Sequence, residues 1–116
     1  MTLGVTYANG NNKDTITPET FNVTQTTARM HKTTVVIGTS EEDMSFGDLS
    51  ANGYVHLRNL DSTNFVKYGP KSAGNMVEFG RLKAGEVTIL RLAAGVTLRW
   101  IADTAAVNVL VTAYDN

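Results

Sequence analysis

The chain has no cysteine, which excludes a disulfide framework and any thiolate-held zinc or iron–sulfur centre. It has no apolar run approaching the ~20 residues of a membrane-spanning helix, and Met1-Thr2-Leu3-Gly4 does not open as a signal peptide does. It has no basic stripe. Ten Lys and Arg stand against eleven Asp and Glu, scattered along the chain, whereas affinity for nucleic acid rests on positive charge gathered against phosphate. Histidine is scarce: His31 and His56 are the only two, far apart in sequence, while metal sites and acid–base catalysis need two or three such groups converging. A Gly-x-Ser-x-Gly elbow is missing, and Gly85 and Gly95 precede strand-like rather than helix-like segments, unlike a phosphate loop. The acidic groups do not repair the deficit. Glu41, Glu42 and Asp43 are adjacent and cannot all point one way, and Asp61-Ser62-Thr63-Asn64 lacks the glycine and downstream glutamate of a calcium loop. These absences predict a protein that is not an enzyme, requires no cofactor or metal, and contacts neither nucleic acid nor membrane. Made in a reducing cytoplasm, it is expected to stay soluble there or to be carried out as part of something larger.

What the chain does have is strand pattern. Its 116 residues, 42% hydrophobic, suit one domain. Residues 1–18 read as a polar N-terminal arm: Leu3, Val5 and Tyr7 alternate, then Asn9-Gly10-Asn11-Asn12 breaks the pattern with turn formers. Residues 19–116 read as a β-sandwich. Phe21-Asn22-Val23-Thr24 marks a candidate strand from Glu19 to Thr27, Thr33 to Gly38 reads as a short buried one, and Ser40-Glu41-Glu42-Asp43 resembles a helix N-terminus, which predicts a short helix within 40–48. Gly53 to Leu60 alternates, and Phe65 to Gly69 after the Asp61–Asn64 turn suggests its hairpin partner. Val77 and Phe79 alternate about Glu78 up to Leu82. Arg81-Leu82-Lys83-Ala84-Gly85 returns as Arg91-Leu92-Ala93-Ala94-Gly95, a spacing of one strand and one tight turn that suits a meander. Thr97 to Asp103 and Val107 to Tyr114 complete the set. About eight short strands separated by turns predict an all-β, jelly-roll-like sandwich.

The same alternation predicts a core of Val55, Leu57, Val77, Phe79, Ile89, Leu98, Trp100, Val109 and Val111. Trp100 shares a strand face with Leu98 and Ala102, so it belongs to the core and not to a sugar-stacking platform. Tyr54 and Tyr68, with Leu3, Val5 and Tyr7 of the arm, are the candidate protein-contact residues, since tyrosine offers rigid amphipathic area.

The stretch from Gly53-Tyr54-Val55-His56 to Lys67-Tyr68-Gly69, followed by Arg81-Leu82-Lys83-Ala84-Gly85-Glu86 and Leu92 to Leu98, is similar to short structural proteins of tailed-bacteriophage virions. Within that group the chain resembles capsid cement (decoration) proteins. The resemblance implies a homo-oligomer, often a trimer, on the outer surface of the capsid, bound to the major capsid protein or another virion protein and clamping neighbouring subunits. Multivalent weak contacts to a fixed lattice gain strength through effective concentration. Two other classes stay open: a carbohydrate- or receptor-binding sandwich of a phage tail or fibre, with aromatics and acids on one exposed face, and a small barrel enzyme such as a cupin, with inward His and Glu ligands.

Overall fold

The computed structural model describes residues 2–9, 12–22, 29–46, 52–93 and 95–115. All regular structure among them is strand. In chain order these are β1 (Thr2–Asn9), β2 (Asn12–Thr20), β3 (Met30–Ile37), β4 (Glu42–Asp43), β5 (Asn52–Asn59), β6 (Val66–Ser72), β7 (Asn75–Met76), β8 (Gly80–Leu82), β9 (Val87–Arg91), β10 (Leu98–Ala102) and β11 (Val107–Asp115). β1 and β2 pair with each other in a separate two-stranded sheet. The remainder forms two antiparallel sheets. The first runs β3-β11-β5-β9, and the second runs β4-β10-β6, with β7 and β8 both on the far side of β6.

The strand order is that of a jelly roll. Four antiparallel pairs, β3 with β11, β4 with β10, β5 with β9 and β6 with β8, make one long ribbon that winds so that its pairs alternate between the sheets. Every connection between these eight strands crosses from sheet to sheet except the one from β6 to β8. The sequence pattern had suggested β5 and β6 as a hairpin and the two glycine repeats as a meander, and both expectations are corrected by this winding. Asn59 explains the first. Its buried amide donates to the carbonyls of Asn64 (2.9 Å) and Leu82 (2.9 Å) and accepts from the Asp61 N–H (2.8 Å), tying β5, the 60–65 corner and β8 together across the sandwich. The two echoes, ten residues apart, are corners too. Leu82 and Leu92 each turn toward the core, and Gly85 and Gly95 take positive φ (76° and 78°) just after them.

The core lies between the sheets. Val55 and Leu57 of β5, Trp100 of β10 and Val109 and Val111 of β11 are buried as expected, joined by Ile37, Met44, Phe46, Val66, Tyr68, Leu82, Ala102, Val107 and Ala113, with Leu98 packed at the margin. Three expected core residues are elsewhere. Ile89 pairs across from His56 on the outer face, and its neighbour Leu90, across from Val55, packs inward instead. Val77 and Phe79 are 54% and 76% exposed because of a bulge. Between the pairs Lys71↔Met76 and Tyr68↔Gly80, three steps along β6 face four steps along the partner, and the extra residue turns the side chains outward.

The expected helix is absent from residues 40–46. Met44 and Phe46 are buried about an exposed Ser45, the period of extended chain, and Glu42–Asp43 pairs with β10 at Trp100 and Arg99. Residues 47–50 lie outside the described residues, as do 23–27 of the segment expected as a strand from Glu19 to Thr27. Thr20 ends β2 and Phe21–Asn22 follow it without strand structure. The segment expected as an arm is a hairpin, running past residue 18 to Thr20, with pairs Leu3↔Glu19, Val5↔Ile16 and Tyr7↔Asp14.

Candidate interaction surfaces

The two sheets present different outer faces. On the first, the strand register sets rows of side chains across all four strands. Met30 lies beside Tyr114 and Tyr54 beside Arg91, with a register shift between β11 and β5 past Ala113; Lys32, Thr112 and His56 lead to Ile89; Thr34, Leu110 and Arg58 lead to Val87; and Val36 lies beside Asn108 at the end. Apolar groups and cations alternate over this face. Tyr54 is sandwiched in place: the Phe21 ring lies 5.7 Å away, tilted, and the Arg91 guanidinium sits 5.0 Å from its ring centroid. The surroundings of His56 favour its neutral form. Burial comes first, then Arg58 and Lys32, and together they lower its pKa below the ordinary imidazole value.

The second sheet covers its outer face with ion pairs. Arg99 donates to Asp43 (2.7 Å), Glu41 (3.1 Å) and the Gly74 carbonyl (3.0 Å), and Glu41 in turn accepts the Met76 N–H (3.1 Å). These bonds reach from β4 across β10 to the β6–β7 turn, so that turn is curled over the sheet. Gly69 permits the curl. It lies directly across from Arg99, and a Cβ there would fall 1.8 Å from the Val77 carbonyl oxygen. Further along the face Lys67 meets Asp103 at 3.4 Å and Arg81 meets Glu78 at 2.5 Å. Arg81 also lies 5.1 Å from the Phe65 ring centroid. The hydrogen bonds from Arg99 and Arg81 depress the pKa values of Asp43 and Glu78, and the backbone N–H groups of Asn64 and Thr63 do the same for Asp61.

The candidate contact residues are not brought together. Leu3, Val5 and Tyr7 are alternate positions of β1, Tyr54 is on the outer face of the first sheet, and Tyr68 is 8% exposed in the core, beside Gly80 and 6.4 Å from the Phe79 ring. Sequence reasoning missed Phe79 itself, Met30 and Val36. Their signal was present, since Met30 and Val36 share the outward parity of Lys32 and Thr34. His31 and His56 flank the neighbouring β11 positions Ala113 and Thr112 from opposite sides and on opposite faces of the sheet. Among the described residues, no three His, Asp or Glu side chains gather where they could hold a metal ion. What the arrangement offers chemically is binding surface: a ribbon, an apolar and aromatic sheet face, and a closed ion-paired face. No family model, curated protein or solved structure matches the chain.

Proposed function

We propose that this chain is a non-enzymatic structural protein of a virion, a capsid cement (decoration) protein that homo-oligomerises and docks on the shell through its N-terminal hairpin. The observation that carries the reading is the separateness of that hairpin. Among the described residues β1 and β2 pair only with each other, and a two-stranded hairpin alone is marginal in water. Such a ribbon gains its stability from a surface that receives it, and with alternating Leu3, Val5 and Tyr7 it offers both main-chain bonds and side-chain fit. Eight residues at about 3.4 Å each give it a length of roughly 27 Å. The radius of gyration of 15.2 Å, against ~13 Å for a compact chain of this length, agrees with a ribbon standing off the sandwich. The remaining features suit a clamp: a rigid sandwich, charge nearly balanced, and no group committed to chemistry.

The test is fractionation. The full chain should sediment with the particles of its source. Deleting residues 2–20 should leave the thermal transition of the sandwich in place and move the chain to the soluble fraction. A full-length chain that never sediments with particles, or a truncated one with unchanged occupancy, overturns the reading.

A second reading, a carbohydrate- or receptor-binding module, is favoured by one observation. Tyr54 and Phe21 form an aromatic pair on a sheet face with Arg91 against it. The companions there are Arg91, Arg58 and Lys32, not the acids that reading expects. Binding on a glycan array that Tyr54→Ala abolishes would establish it in place of the cement reading.

A further inference from the structure

A sheet edge carries unpaired N–H and C=O groups, and proteins blunt such edges by shortness, bulges, charge or proline. Three edges of this sandwich are blunted. β4 has two residues amid Glu41, Glu42 and Asp43; β7 and β8 are short and bulged; β9 has five residues and ends on Arg91. β3 is different. It runs eight residues, Met30–Ile37, with no proline and an unbroken register against β11. Among the described residues, its backbone bonds to no strand but β11. Two of its outward side chains are exposed hydrophobics, Met30 at 59% and Val36 at 62%.

We propose that β3 is the surface at which a second copy of this chain adds, antiparallel across a two-fold axis through Thr33, joining the two four-stranded sheets into one. A two-fold interface must be self-complementary. Cross-strand neighbours must also share a face, so only registers that keep the parity of the strand are allowed. With the axis at Thr33, Met30 faces Val36 of the second copy on the outer side and Lys32 faces Thr34, while on the inner side His31 faces Val35. Both exposed apolar groups are then covered, twice over. The neighbouring registers fail. An axis at Lys32 sets two lysines opposite each other, which destabilises a sheet. An axis at Thr34 sets Lys32 against Val36 and leaves Met30 beyond the end of the strand, against Gly38. The spacing of Met30 and Val36 about Thr33 is thus what selects a copy of this chain as the occupant. The resulting assembly is a dimer where the resemblance to cement proteins implied a trimer, and it does not depend on what the hairpin docks on.

Light scattering at about 100 μM should give twice the chain mass, and Val36→Lys should return it to the chain mass with an unchanged melting transition. Because the chain has no cysteine, the register can be read directly. Paired residues of an antiparallel ladder lie about 4.5–5.5 Å apart at Cα, within disulfide range. Mixing Met30→Cys with Val36→Cys under mild oxidation should yield a cross-linked pair, and neither variant alone should; this holds the proposal to account even if Val36→Lys weakens the fold. A monomer or trimer at that concentration overturns the proposal. So does a dimer indifferent to Val36→Lys, cross-linking of either cysteine variant with itself, or a dimer lost when residues 2–20 are deleted, which would make the hairpin the occupant of the edge.

Discussion

The two sheets of this jelly roll share a core but treat their outer faces in opposite ways. The first is built of long, regular strands: eight residues in β3 and in β5, nine in β11. Its outer face is left open, with aromatic and aliphatic side chains between cations. The second is short-stranded, bulged and curled, and it spends its outer charges on itself, most of all through Arg99. The difference is physical. A sheet whose polar groups are already paired with one another has little to offer a partner, while a regular sheet with an open edge and an apolar face has both main-chain and side-chain valences free. Association is expected on the first sheet and rigidity on the second.

The comparison rests on the sheets being one cooperative unit, and core truncations test that with the largest expected effect. Leu57 of the first sheet is 1% exposed and Trp100 of the second is 2% exposed. Leu57→Ala should cost about 2–5 kcal/mol and Trp100→Ala about 3–5 kcal/mol, each as a single shifted transition in denaturant. Two separate transitions would mean that the sheets fold apart. Trp100→Phe should be milder than Trp100→Ala, because the phenyl ring refills part of the space the indole leaves. Among the described residues the buried indole N–H has no acceptor, so losing it relieves a desolvated donor.

Gly69→Ala comes next and should affect the second sheet alone. With the Val77 carbonyl oxygen 1.8 Å from the added Cβ, the curled ribbon must lift, at a cost of roughly 1–3 kcal/mol in the manner of an overpacked core. Hydrogen exchange is the discriminating measurement. The amides of Met76, Val77 and Phe79, which bond Glu41, Pro70 and Tyr68, should lose protection while those of β5, β9 and β11 keep it. Uniform loss would show that the curl is part of the core and not an addition to one face.

Much of this contrast is legible in the sequence, though unevenly. The regular sheet follows from its alternation: Val55 and Leu57, then Val109 and Val111, face inward as period two requires. The curled sheet does not, because Phe79 and Leu82 are three residues apart and cannot both face the core of an unbroken strand. That conflict is visible in the letters, but its resolution depends on a bulge laid against Gly69, a contact with a residue ten positions earlier in the chain. Ile89-Leu90 is ambiguous by one residue until the register with β5 selects Leu90 for the core. At Ser40 a good capping pattern lost to tertiary context, since Met44 and Phe46 find the core only in extended chain. The candidate surface was half visible. Tyr54 stands on it, but Tyr68 has the same residue type and strand setting and faces inward; only the sheet order separates the two.

The smallest expected effect isolates the outer face of the first sheet through His56. Burial and the nearby Arg58 and Lys32 lower its pKa, so the folded protein favours the neutral ring while the unfolded chain binds its proton at about pH 6.5. Below that value the unfolded state holds more protons than the folded one, and stability falls with falling pH. The contribution is therefore complete above about pH 6.5 and is lost on acidification through and below it. Asp43, Asp61 and Glu78 shift in the same acid-sensitive sense, but from carboxylate values near 4, so the interval from pH 7 to pH 5 belongs largely to the imidazole. The melting temperature should fall across that interval by about 2 °C or less, solvent screening keeping the effect small at a partly exposed ring. His56→Gln should flatten the profile there and leave the steeper loss below pH 4.5 unchanged. If the variant keeps the full slope between pH 7 and pH 5, neither burial nor the cations of this face shift His56. In that case the open sheet differs from the ion-paired one in its side-chain packing alone.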